Sequence, residues 1–196
     1  MMADKFRRPY DPTETEPRTY ATWEESGYFS PENLPEALTK DNGKPFTMVL
    51  PPPNANGSLH VGHALGKALA DAMTRAKRMQ GYKALWIPGA DHAGFETQVV
   101  YEKKLEKEGR SRFQMDPKDL YNEILAFTLL NKSMMENQVR ALGASCDWTR
   151  EKFTLDPAIV REVQRTFIKM YEDGLVYRGK RTVNWCPKHQ TSLSDV

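Results

Sequence analysis

Apolar residues along this chain follow two different periods. Phe46-Thr47-Met48-Val49-Leu50 and Leu85-Trp86-Ile87 are short continuous runs of strand length, each ended by proline. Between them Val61, Leu65, Ala68, Leu69, Ala72, Met73, Ala76 and Met79 recur at helical spacing until Gly81, which predicts one long helix. Two further helices open with the same device, Asp116-Pro117 and Asp156-Pro157, an N-cap followed by proline at the first helical position. The first carries Leu120, Ile124, Phe127, Leu130 and Met134 on one face and runs to about Gly143. The second carries Ile159, Val163, Phe167 and Met170, a stripe expected to pack in the core, and stops at Gly174. A shorter helix between Tyr10 and Gly27 has Tyr20 and Trp23 on its apolar edge, and the segment from Pro31 to Pro45 reads as a polar, proline-rich linker. Leu175 to Trp185 reads as β-rich, interrupted by Gly179-Lys180, and no internal repeat is visible.

Strand, helix and strand in succession predict an α/β fold with a parallel sheet. Composition bounds the picture more than it fills it. A chain of 196 residues can bury one respectable core with an appended segment. With 28 basic against 26 acidic residues the net charge is +2, too even to announce nucleic acid by itself. Basic residues gather at Arg75, Lys77, Arg78 and Lys83, and at Lys103, Lys104, Lys107, Arg110 and Arg112, runs expected on the solvated faces of helices. Cys146 and Cys186 form no disulfide framework and fit a reducing compartment. Cys186 with His189 could be half of a zinc site, but no second pair accompanies it, so no protein-bound metal is expected. No apolar stretch reaches the ~20 residues of a membrane span, and Met1-Met2-Ala3-Asp4-Lys5 leads into no signal-peptide core, so no membrane partner and a cytoplasmic location are expected.

The chemistry concentrates in residues 51–66, Pro-Pro-Pro-Asn-Ala-Asn-Gly-Ser-Leu-His-Val-Gly-His-Ala-Leu-Gly. A Pro/Asn/Gly turn here joins the first strand to the long helix, with His60 and His63 at the helix start. Backbone N–H groups and the positive end of the macrodipole make such a start receptive to anions. Two imidazoles three residues apart share a face and add N–H donors to the same oxygens. A glycine turn alone occurs in many α/β proteins, and a His-x-x-His pair can also bind metal or stand as two half-exposed polar residues. A second island follows the next strand: Pro88-Gly89-Ala90-Asp91-His92-Ala93-Gly94, then Thr97-Gln98. Ligands of open α/β sheets bind beyond the carboxyl ends of strands, so both islands should face one crevice. There Asp91 can pair with an ammonium group, or it can cap the following helix.

The string from Pro51 to Gly66 resembles the first signature of the class I aminoacyl-tRNA synthetases, and its Pro-Pro-Pro-Asn lead-in is similar to the valyl branch. Asp91-His92-Ala93-Gly94 with Thr97-Gln98 also looks valyl. So do Leu142-Gly143-Ala144-Ser145-Cys146-Asp147-Trp148, Phe153-Thr154, Tyr177-Arg178-Gly179-Lys180, Val183-Asn184-Trp185 and Thr191-Ser192-Leu193-Ser194-Asp195. Asn56, Ala90 and Phe95-Glu96 depart from that pattern, which leaves an isoleucyl-type enzyme as the nearest alternative, and a nucleotidyltransferase of the same His-x-Gly-His superfamily as a more distant one. The resemblance extends from about Tyr10 to Val196.

What the resemblance implies is a Rossmann-like catalytic domain, of which residues 46–174 are the first half, preceded by a helical segment and linker over 1–45 and followed by a β connector over 175–196 towards an inserted editing domain. It implies ATP-dependent activation of valine and transfer to tRNA(Val), with Mg2+ accompanying ATP, in an enzyme monomeric when complete. His60 and His63 are the expected catalytic pair. Pro53, Asn56, Gly57, His60, Gly62 and His63 are expected to bind ATP, Gly62 by leaving the helix surface bare for the nucleoside. Pro52, Asn54 and Asp91 are expected to bind the amino acid. The second signature of the family, a Lys-Met-Ser-Lys-Ser loop, is not found; Asn131-Lys132-Ser133 and Lys169-Met170 fall inside predicted helices. The chain is therefore expected to be the N-terminal part of a larger enzyme and inactive alone.

Overall fold

A computed structural model describes residues 9–39 and 43–193; the remainder of the predicted segments, Ser194 and Asp195 of the last motif included, lies outside the described residues. The chain divides into two units, residues 1–156 and 157–196.

The first unit is built on parallel strand pairing. β1 (Pro45–Val49) pairs in parallel with β2 (Lys83–Ile87), Thr47 opposite Leu85 and Val49 opposite Ile87. β3 (Gly89–Ala90) pairs in parallel with β4 (Lys152–Phe153). Backbone bonds carry the pattern beyond the regular strands: Leu50 N–H donates to Ile87 (2.9 Å), and Asp147 N–H donates to Trp86 (2.9 Å). The segment around Trp86 therefore lies between 45–55 on one side and 147–154 on the other, which is why Trp86 is wholly buried. Gly89 suits the close approach at this crossing, because a Cβ there would stand 3.3 Å from the Lys152 carbonyl and 3.6 Å from the Pro52 side chain. Leu50, Ala70, Trp86, Val139, Ala144 and Cys146 form one core cluster; Ala55, Ala90, Met135 and Phe153 form a second. Leu59 packs against both.

Two helices begin at aspartate caps. In α1 (Pro12–Glu25) the Asp11 carboxylate accepts the Thr13 N–H at 2.9 Å, and Gly27 closes the end at φ 71°. In α4 (Pro117–Ala141) Asp116 accepts the Lys118 N–H at 2.8 Å. α2 spans Val61–Met79 and α3 Gly94–Lys107. The expected linker contains two short 3-10 turns, Pro31–Asn33 and Glu36–Leu38.

The buried faces differ from the apolar faces. On α2 the buried residues are Lys67, Ala70 and Thr74, while Val61, Leu65, Leu69 and Met73 are 51–85% exposed. On α4 the buried line is Thr128, Asn131, Met135 and Val139, and Leu130 stands outside it. Polar residues can occupy these lines because they bond to their own helix. Thr74 Oγ1 donates to the Ala70 carbonyl (2.9 Å), Thr128 Oγ1 to Ile124 (2.8 Å) and Asn131 Nδ2 to Phe127 (2.8 Å), so none goes underground unsatisfied.

Two of the basic residues expected on a solvated face are structural. Asp71 on α2 accepts both the N–H (2.9 Å) and the hydroxyl (2.6 Å) of Ser145. It also pairs with Arg75, whose guanidinium donates to the Gly143 carbonyl at 2.6 Å. Arg78 donates to Ser145 Oγ at 3.1 Å, and its burial lowers its pKa from the usual guanidinium value. From the other side, Tyr20 of α1 donates its hydroxyl to Ala144 (2.8 Å) and accepts from Trp148 Nε1 (2.7 Å). Burial pushes that phenol up to about 12. The Leu142–Trp148 motif is thus a polar hinge pinned by α1 and α2. In the second basic run Arg110 pairs with Glu123 and Lys104 with Glu108 at the surface as expected, whereas Arg112 is half-buried against Glu102.

The second unit holds α5 (Pro157–Glu172) and a small antiparallel pair, β5 (Trp185–Cys186) with β6 (Thr191–Ser192). The expected core stripe of α5 is not buried: none of its residues is, and Val163 and Phe167 are mostly exposed. Residues 175–184 are irregular rather than β-rich, the strands beginning only at Trp185. Cys186 Sγ lies 3.3 Å from His189 Nδ1, and among the described residues no three metal-ligating side chains come together. No helix among them is long and apolar enough to cross a membrane.

Candidate active site

The two sequence islands meet at the carboxyl ends of the strands. β1 continues through Pro51–Pro53 to Asn54, which forms a parallel bridge with Asp91 beyond β3. Asp91 N–H donates to the Pro53 carbonyl (2.9 Å), and Ala55 N–H donates to the Asp91 carbonyl (2.7 Å). Pro52 and Asn54 are exposed beside this bridge, whereas the Pro53 side chain is buried and its carbonyl is engaged. Asn56 and Gly57 are half-buried in the turn that follows.

That turn is held from α4. Leu59 N–H donates to Gln138 Oε1 at 2.9 Å, and the Ser58 hydroxyl lies 3.7 Å from the Met134 sulfur. Gln138 had no signal of its own in the sequence, being one polar residue on a long amphipathic helix.

His60 is itself the N-cap of α2, in extended backbone, an unusual residue for that position. Its Nδ1 accepts the Gly62 N–H at 3.1 Å, and His63 Nδ1 accepts the His60 N–H at 3.3 Å. The rings lie 3.9 Å apart, centroid to centroid. Because both Nδ1 atoms accept, the proton of each ring is assigned to Nε2, which is left as its donor. The expected anion site therefore has its Gly62 N–H already taken, and the imidazoles stand in for it. Gly62 has a local reason too: a Cβ there would lie 3.0 Å from His60 Cε1, inside the space the ring occupies. His63 titrates below the ordinary imidazole value, chiefly because burial disfavours its charged form, and also because His60 and Lys67 lie near. Lys67, one turn on, is 4% exposed and its ammonium is lowered by desolvation.

The Asp91 corner is more heavily bonded. Asp91 Oδ1 accepts the Ala93 N–H at 3.0 Å and lies 3.2 Å from Thr154 Oγ1 and 3.5 Å from His92 Nδ1. The carboxylate is 37% exposed. It does not cap α3: the N-cap is Ala93, which has no capping side chain and sits in left-handed backbone at φ 48°. Non-glycine residues at such angles are held there by their surroundings and concentrate at functional sites. Thr97, wholly buried, donates its hydroxyl to the His92 carbonyl at 2.7 Å and locks the corner from below. Thr154 belonged to a quoted motif, but only the pairing of β3 with β4 reveals that it reaches Asp91. No direct contact joins the histidine pair to Asp91 among the described residues; the 54–55 backbone relates them. A cavity of about 750 Å³ lies elsewhere, between α1 and the end of α4.

The family description tRNA synthetases class I (I, L, M and V) matches residues 18–196. The chain belongs to the class I tRNA synthetases. Relatives include the Valine--tRNA ligase of Clostridium acetobutylicum, 47% identical over 98% of this chain and 21% of that protein. That of Geobacter sulfurreducens is 44% identical over 100% of this chain and 21% of that protein. Among solved structures, an Agrobacterium radiobacter LeuRS in a ternary complex with tRNA and LeuAMS superposes with a TM-score of 0.74 at 25% identity, covering 95% of this chain and 21% of that one. The chain spans about a fifth of the length of the curated relatives it matches. The parallel sheet agrees with the Rossmann-like half-domain expected from the sequence.

Proposed function

We propose that this chain carries the first half of the active site of a valine–tRNA ligase, which joins valine to ATP and passes it to tRNA(Val). The observation that supports the reading is the Asn54–Asp91 bridge, which brings the Asp91 corner beside the turn leading to the histidine-opened helix, at the carboxyl ends of the parallel strands. The level of identity to valine–tRNA ligases, 43–47% along nearly the whole chain, supports valine over isoleucine.

In the first step a valine carboxylate oxygen attacks the α-phosphorus of ATP. The bond from that phosphorus to the bridging oxygen breaks and pyrophosphate leaves. Mg2+ enters with the nucleotide as part of the substrate. In the second step a tRNA 3′-terminal hydroxyl attacks the acyl carbonyl and AMP leaves. Chemistry of this kind asks for positioning and charge stabilisation rather than covalent help. The Nε2–H groups of His60 and His63 donate to the phosphate oxygens as charge moves onto them, and neutral rings keep those donors aligned. Asn56, Gly57 and Gly62 form the turn and helix surface against which the nucleotide lies, with Pro53 supporting them from beneath. Pro52 and Asn54 flank the amino acid, and Asp91 receives its ammonium group. The enzyme works as a monomer in the cytoplasm.

ATP–pyrophosphate exchange by the full-length protein tests the reading. Exchange should depend on valine and be far weaker with isoleucine; isoleucine preferred over valine would overturn it. Residues 1–196 alone should give no exchange, because no second lysine signature is present to hold the phosphates. Robust exchange by that chain would mean the two islands form a complete site.

A further inference from the structure

We propose that Thr154 is a positioning residue of the amino-acid subsite, its hydroxyl bridging His92 and Asp91 so that one carboxylate oxygen is anchored and the other faces the ligand. The inference rests on the reading of Asp91 as the ammonium partner.

Thr154 follows β4, and its N–H donates to the Ala90 carbonyl at 3.2 Å, which fixes its backbone against the strand that leads into Asp91. Its Oγ1 accepts the His92 N–H at 2.9 Å, stands 2.6 Å from His92 Nδ1 and lies 3.2 Å from Asp91 Oδ1. A hydroxyl has one proton and two lone pairs. One lone pair is used by the His92 N–H. If the proton went to His92 Nδ1, Oγ1 would turn a lone pair towards the Asp91 carboxylate at 3.2 Å, an unfavourable contact. If instead His92 carries its proton on Nδ1, that N–H donates to Oγ1 and the hydroxyl donates to Asp91 Oδ1. Every donor and acceptor is then satisfied, and a directed chain runs from imidazole through hydroxyl to carboxylate.

The consequence for Asp91 is asymmetry. Oδ1 takes the Ala93 N–H and the Thr154 hydroxyl, and among the described residues Oδ2 has no hydrogen-bond partner. Two bonds on one oxygen stop the carboxylate from rotating, which leaves Oδ2 to meet the ammonium in a fixed direction. The same hydroxyl, through the His92 N–H, steadies the turn in which Ala93 is held left-handed. Thr154 itself need not touch the amino acid.

The test is a set of variants in the full-length protein: Thr154→Val, Thr154→Ser, Asp91→Asn, and Asp91→Asn with Thr154→Val. Valine affinity is read by calorimetry, and valine KM, ATP KM and kcat by ATP–pyrophosphate exchange. Valine keeps the shape of threonine and removes the hydroxyl's bond to the carboxylate together with the acceptor for His92, so Thr154→Val should weaken valine binding by on the order of tenfold to a hundredfold. The ATP KM should stay near that of the parent protein. Thr154→Ser should restore most of the affinity, and Thr154→Val should add little once Asp91 is already asparagine. Unchanged valine affinity in Thr154→Val, failure of serine to restore it, or an equal loss on the Asp91→Asn background would each overturn the assignment. If Asp91→Asn weakens valine binding and Thr154→Val does not, this inference alone fails. If Asp91→Asn leaves valine binding intact, the reading of Asp91 fails and Thr154 falls with it.

Discussion

The turn that ends at His60 and His63 is capped largely by its own imidazoles, whereas the corner at Asp91 is held by two strands, a threonine hydroxyl and the start of a helix. Both lie at the carboxyl ends of parallel strands, and the 54–55 backbone ties them together. The bonds at His60 span two and three residues of sequence, while those joining Asp91 and His92 to Thr154 span more than sixty. A group that must follow charge as it moves can be held locally, by a helix start that exists as soon as the helix forms. A group that must hold one ligand atom in one place needs partners from separate strands.

The most severe way to break this comparison is Asp91→Asn. Asparagine keeps an acceptor oxygen for Ala93, so the corner should fold, but an ammonium would lose its charge partner. Valine binding should weaken by about 2–5 kcal/mol in calorimetry, with ATP affinity near that of the parent protein. A variant that unfolds, or loses ATP equally, would make Asp91 a scaffold residue.

Next come the histidines. His60→Ala or His63→Ala should each lower the activation rate roughly 10²–10³-fold, the loss typical of one preorganised donor. Helix stability should fall by only about 1 kcal/mol, the worth of a cap, in thermal unfolding. Equal losses in binding and rate would mean the pair is structural.

A third substitution tests the scaffold beneath both regions. Asp71→Ala leaves the buried Ser145 N–H and hydroxyl without their acceptor and frees Arg75 from its partner. Stability should fall by about 1–3 kcal/mol in denaturant unfolding, with valine specificity unchanged. A shift in specificity would tie the 142–148 hinge to the site.

The smallest effect is the pH dependence of the cap. His63 is held below the ordinary imidazole value, so the unfolded chain binds its proton more readily than the folded one. The stability it contributes is fully present above about pH 6.5, is lost as pH falls through the window below, and levels off once the folded group is protonated too. Protonated Nδ1 cannot accept the His60 N–H, so the protection of the His60 amide against exchange, relative to its intrinsic rate, should fall as His63 is protonated. Protection unchanged once His63 is seen by NMR to be protonated would contradict the assigned proton positions.

How much of this was legible beforehand follows from where each signal resides. β1 and α2 were readable because a strand run, a Pro/Asn/Gly turn and a helical period follow one another without interruption. The helix start at Asp116 was readable because a cap is a local bond, whereas the Asp156 carboxylate, read as a second cap, accepts the Phe153 N–H instead. The buried faces were less so. The apolar line of α2 was plain in the sequence, yet the sheet takes Lys67, Ala70 and Thr74 from that helix and leaves Val61, Leu65, Leu69 and Met73 open. On α4 the buried line is turned from Leu130 and Met134 to Asn131 and Met135, and Asn131 can be buried there because it bonds to its own helix. Periodicity reports that a face exists, not which neighbour takes it. The roles of Arg75, Arg78, Gln138 and Thr154 were hidden for a different reason: each acts on a residue more than sixty positions away. The β-rich reading of 175–185 rested on branched and aromatic residues, and among the described residues no strand pairs with 175–184.

The division of labour between the two regions is tested most directly by ATP–pyrophosphate exchange with His63→Ala and Asp91→Asn measured side by side in the full-length protein, resolving kcat from the valine KM. His63→Ala should lower kcat and leave the valine KM within about twofold, while Asp91→Asn should raise the valine KM by far more than it lowers kcat. Both variants moving the same parameter by similar factors would contradict the account.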